Sequence, residues 1–70
     1  MNEEKVKKLF RYQHLPLHLQ EVSKPFYDLA VHLATSLQGS AEATLAIRKV
    51  WEAKNLAVWS AVETKETSNG

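Results

Sequence analysis

Three histidines are the first residues to test for chemistry. His14 and His18 stand four apart, a spacing that suits two metal ligands on a helix, but Pro16 lies between them and no third ligand is obvious. They read as exposed or partly packed side chains. His32 reads as a helix-surface residue, with no constellation around it that would make it a general base. The chain has no cysteine, which removes disulfides and thiolate metal sites together and fits a reducing compartment. No catalytic residue, metal ligand or cofactor is assigned, and the chain is not expected to be an enzyme.

Arg11 and Tyr12 suggest a different chemistry. An exposed tyrosine face can stack on a nucleobase, and a neighbouring cation can meet phosphate oxygens. Stacking contributes about 1 to 3 kcal/mol per base, so one tyrosine needs charged contacts and burial between subunits to hold a nucleotide tightly. Tyr12 reads equally as a packing residue that closes the end of a helical hairpin, and spacing alone favours that role. Further on, Gln20, Lys24, Tyr27, Val31 and Thr35 share one helix face, aromatic and cationic, whose simplest role is a solvated or subunit-contacting surface. Lys54 falls within an apolar stripe, where its ammonium must snorkel, pair with a carboxylate or meet an anion; the first two are commoner.

The elements that must position these residues are helices. Glu3 to Phe10 is a short amphipathic segment with Val6, Leu9 and Phe10 on one side, acidic at its start and lysine-rich after, as a helix dipole prefers. Arg11 to Pro16 breaks the pattern, since Leu15 precedes a proline and is pushed toward extended geometry, while Pro16 suits a helix start. From Leu17 to Leu37, the residues Leu19, Val22, Phe26, Leu29, Leu33 and Leu37 form an apolar stripe. Pro25 is expected to kink this helix near Glu21 to Lys24 without dividing it, because the stripe continues in phase.

Gln38-Gly39-Ser40 supplies a C-terminal glycine and then a serine N-cap, a turn short enough to make the flanking helices antiparallel. The second long helix, about 41–63, places Ala43, Ile47, Val50, Trp51, Ala57, Val58 and Ala61 on one stripe and Leu45, Leu56 and Trp59 on the other side. A helix apolar on two faces has more to cover than one hairpin partner can hide. Residues 64–70 read as a polar, disordered tail. The expected fold is all-α: one domain over 1–70, a short N-terminal helix plus a long antiparallel helical hairpin with a Pro-kinked first helix, assembled as a homo-oligomer.

The totals agree with a chain that needs neighbours. Below roughly 70 to 80 residues a single core rarely contributes more than about 3 to 5 kcal/mol, and without disulfides or metal self-association is the expected supplement. The net charge of +1 lacks the basic footprint of a duplex-binding protein, so a nucleic-acid accessory role ranks last. No apolar run reaches the roughly 18 residues of a spanning helix, and no signal-peptide apolar region follows Asn2-Glu3-Glu4-Lys5. A soluble, cytoplasmic protein without membrane contact is expected.

Two segments carry a family resemblance: Arg11-Tyr12-Gln13-His14-Leu15-Pro16, an aromatic followed by a proline, and Thr44-Leu45-Ala46-Ile47-Arg48-Lys49-Val50-Trp51-Glu52-Ala53, the more specific of the two. Between them lie a helical segment through Asp28-Leu29-Ala30 and a short turn. This order, over about Arg11 to Glu63, resembles the phage anti-CBASS sponge proteins, small helical hairpins that sequester cyclic oligonucleotides. The resemblance implies a homohexamer whose interface pockets trap the cyclic dinucleotides and cyclic trinucleotides of bacterial antiphage immunity, in the infected host cytoplasm, with no bond made or broken. It implies that Tyr12 stacks on a base, Lys24 contacts a phosphate and Pro16 walls the pocket, with Arg11 and Arg48 as further ligand-binding candidates. A shorter stretch between Pro16 and the helix body departs from the family pattern and makes Gln20 and Tyr27 the fallback positions for Lys24. Two copies of Tyr12 and Lys24 across a two-fold axis would match a near-symmetric cyclic dinucleotide. The alternative is a non-catalytic oligomeric protein–protein interaction module, in which Leu45, Leu56 and Trp59 meet another protein and Tyr12 and Lys24 are structural or rim residues.

Overall fold

The structure, a computed structural model, describes the backbone of residues 2–37 and 39–69 and the side chains of residues 2–37 and 39–64. Its elements are all helical: α1 (Glu3–Leu9), α2 (Leu17–Ser36) and α3 (Ala41–Asn69). α1 packs on α2, and α2 packs on α3. The molecule measures 47 × 20 × 13 Å. The long axis follows from α3, whose 29 residues extend roughly 43 Å at 1.5 Å per residue. A body this thin encloses no helix on all sides.

Each boundary has a local cause. The Asn2 side chain accepts from the Lys5 backbone N–H at 2.8 Å and caps α1. Glu3 and Glu4 occupy the first turn and Lys7 and Lys8 the last, matching the helix dipole, and Lys7 pairs with Glu3 at 3.1 Å. Pro16 caps α2 through its carbonyl, which accepts from the N–H groups of Leu19 and Gln20. α2 is one element through Pro25, undivided as expected. Gly39 stands at φ +84°, where a side chain would be strained. The Ser40 hydroxyl then accepts from the Ala43 N–H at 3.0 Å, the expected N-cap.

The buried face of α2 differs from the leucine stripe. Leu19 is buried, but the other buried positions of this helix are Ser23, Ala30 and Ala34, while Leu29 and Leu37 remain nearly half exposed. The core consists of Val6, Phe10, Ala30, Ala34 and Ile47, with Phe26, Tyr27, Val31, Leu33 and Val50 packed around it. Small residues sit where helices approach closely, and the large ones flank the contact. Leu9 is likewise 37% exposed, so α1 buries Val6, and Phe10, the residue that caps its C-terminus, is buried beside it.

α3 buries Ala43 and Ile47 and half-buries Val50, Ala57, Val58 and Ala61. Its backbone stays helical to Asn69, six residues past the expected end at Glu63. No glycine or proline occurs between Ser40 and Gly70, so nothing in the chain terminates the helix; a polar composition limits burial rather than backbone geometry. The side chains of 65–69, and Gly70, lie outside the described residues. Leu45, Leu56 and Trp59 are 56, 70 and 63% exposed, the second apolar face read from the sequence.

Candidate ligand-binding site

The connector from Arg11 to Pro16 is built almost entirely from short-range hydrogen bonds. The Leu15 N–H donates to the Tyr12 carbonyl at 3.0 Å, closing a turn, and the Gln13 side-chain oxygen accepts from the Tyr12 N–H at 3.3 Å. From α2, the Gln20 amide nitrogen donates to the carbonyls of Leu15 at 2.8 Å and Gln13 at 3.3 Å. The Tyr12 ring meets Tyr27 on α2 in a T-shaped contact, centroids 5.3 Å apart and planes at 70°. Tyr12 is half-buried by this contact. Tyr12 thus packs against the middle of α2 and is neither fully buried nor fully exposed.

Lys24 stands three residues before Tyr27 on α2, which makes the two neighbours on the helix surface. Its ammonium donates to Asp28 Oδ2 at 2.8 Å, with both side chains more than half exposed. That hydrogen bond, and the charge of Asp28, hold the Lys24 ammonium above the usual lysine range. Pro16 and Arg11 are exposed at the two ends of the connector. The structure thus brings Tyr12, Tyr27, Lys24 and Gln20 to one region and puts the fallback positions beside the first choices. Asp28 was missed as a member of this cluster, although its spacing of four from Lys24 on one helix is a signal for the ion pair.

No known family model, curated protein or solved structure matches the chain, which leaves its function to be read from the residues themselves.

Arg48 belongs to a different place. It lines an open cavity of about 370 Å³ with Leu9, Trp51 and Glu52, formed between α1 and α3. A cation, a carboxylate, an indole and an aliphatic side chain share this cavity, and neither Tyr12 nor Lys24 lines it. Leu9, on the apolar side of the first segment with Val6 and Phe10, walls this surface depression while those two are buried.

His14 and His32 are exposed and His18 is half-exposed. Among the described residues no three His, Cys, Asp or Glu side chains are grouped as metal ligands would be. Lys54 is partly buried, and that burial lowers its proton affinity below the usual lysine value. No ion pair with a carboxylate forms there among the described residues. The Ser23 hydroxyl is buried without a hydrogen-bond partner among the described residues. No helix of the described residues is long and apolar enough to cross a membrane.

Proposed function

We propose that this protein binds and sequesters cyclic dinucleotide and cyclic trinucleotide immune signals without cleaving them, as a homo-oligomer of helical hairpins, and so blocks CBASS antiphage signalling in the infected cell. The observation that carries this is the contact of the Tyr12 ring with Tyr27 on α2, three residues from Lys24 on the same helix, an aromatic surface beside a cation. A flat base and a phosphate need that pair of groups, and the resemblance to the sponge family assigns its roles to Tyr12, Lys24 and Pro16. One copy is too small a site to enclose a cyclic dinucleotide; two copies across a symmetry axis supply paired aromatics and paired cations. The Lys24–Asp28 pair is no serious obstacle. Exposed pairs of this kind are weak, and a phosphate can take the ammonium by sharing or displacing Asp28.

A second reading has its own support. Leu45, Leu56 and Trp59 leave α3 with an apolar face that an interaction module would present to another protein.

Calorimetric titration with cyclic dinucleotides and cyclic trinucleotides, after light scattering has given the oligomeric mass, separates the two. Sequestration predicts tight binding and intact ligand recovered on denaturation. Tyr12→Ala should weaken binding roughly tenfold or more, consistent with about 1 to 3 kcal/mol per stacked base. Lys24→Ala should weaken it and flatten its salt dependence. A folded oligomer that binds neither ligand class favours the interaction module.

A further inference from the structure

One side chain of α2, Gln20, ties the connector that carries Tyr12 to the helix. Among the described residues no backbone N–H donates to the carbonyls of Gln13 or Leu15; the Gln20 amide reaches both, at 3.3 and 2.8 Å. Gln20 is itself fixed in the first turn of α2, where its backbone N–H donates to the Pro16 carbonyl at 3.0 Å. A primary amide has two N–H donors on one nitrogen, which is what two acceptors two residues apart require. The Leu15 N–H returns to the Tyr12 carbonyl, so the chain from helix to aromatic ring is continuous: Gln20 holds Leu15 and Gln13, Leu15 holds the Tyr12 backbone, and Tyr27 receives the Tyr12 ring.

We infer that Gln20 is the positioning residue for Tyr12, the group that converts a short irregular segment into a fixed ring orientation. Its consequence for ligand affinity rests on the cyclic-nucleotide function proposed above; its effect on the ring does not. Gln20→Glu is the discriminating variant, because a carboxylate of the same size accepts but cannot donate and repels both carbonyls. Gln20→Ala removes the side chain without adding charge and serves if the first variant folds poorly.

Three measurements on the intact protein test this: cross-relaxation between the Tyr12 and Tyr27 rings by NMR, amide exchange of Tyr12 to Leu15, and cyclic dinucleotide affinity. In Gln20→Glu the contact between the rings should weaken and connector exchange should accelerate, while the amides of Ala30, Ala34 and Ile47 exchange as in the parent. Affinity should fall roughly fivefold to tenfold, the scale of one or two lost hydrogen bonds. Unchanged ring contact and exchange in both variants would overturn the assignment. A disordered ring with undiminished affinity would overturn its link to ligand binding. If the parent protein binds no cyclic nucleotide, the sponge function fails, and ring contact and exchange still decide the role of Gln20.

Discussion

Lys24 carries its own competitor. Asp28 holds the ammonium at 2.8 Å, so a phosphate arriving at Lys24 meets a carboxylate before it meets a free cation. Asp28→Asn removes the competing charge while keeping a similar shape. Cyclic dinucleotide affinity should rise roughly two- to threefold, the small gain expected where the displaced pair is exposed and screened; calorimetry at fixed salt measures it. An unchanged affinity would mean that the phosphate shares the ammonium with Asp28; only if Lys24→Ala also binds as the parent does is Lys24 not the phosphate contact. Ser23 poses the opposite problem, a buried hydroxyl without a hydrogen-bond partner among the described residues. An unsatisfied buried polar group costs about 1 kcal/mol or more, so Ser23→Ala should stabilise the fold by about 1 kcal/mol. For a domain of this size that is a rise in Tm of roughly 4 to 8 °C. A lower Tm would show that the hydroxyl has a role that packing does not reveal.

At the scale of elements, most helix boundaries were legible because they are written in a few residues with strong local effects. Pro16 starts α2, Ser40 caps α3 after a turn in which Gly39 takes a positive φ, and the acid-to-base order of Glu3 to Lys8 marks α1; α2 itself ends at Ser36, before the glycine. The buried face of α2 was legible in part: Leu19, Phe26 and Leu33 of the stripe face the core, but hydrophobicity ranks Leu29 and Leu37 above the buried Ser23, Ala30 and Ala34. Burial reverses that order for these five residues, the small side chains filling the interior and the two leucines lying nearly half exposed. The candidate site was legible as residue types, and its internal bonding was not, since the contacts of Gln20 span five and seven residues across a proline. The turn between α2 and α3 can be tested directly. Gly39 adopts φ +84° with nothing within 4 Å of an added Cβ, so Gly39→Ala carries a conformational cost without a steric one. About 1 kcal/mol of destabilisation is expected. Thermal unfolding must be followed at fixed protomer concentration, because assembly shifts Tm by mass action.

At the scale of the whole molecule, α3 leaves an apolar face uncovered, with Leu45, Leu56 and Trp59 at 56, 70 and 63% exposure. The double variant Leu56→Glu, Trp59→Glu puts charges on this face and leaves Val6, Phe10 and Ile47 untouched. If the proposed oligomer is sealed by this face, light scattering should give the protomer mass while circular dichroism still reports a helical chain. Nucleotide binding then separates two arrangements. Loss of binding together with assembly places the ligand between copies, where paired Tyr12 and Lys24 are needed. Binding retained by the monomer means that one copy of the connector cluster suffices, and the symmetric pocket is wrong. An unchanged oligomeric mass removes this face from the subunit contact and leaves it free for another protein, which is the interaction-module arrangement.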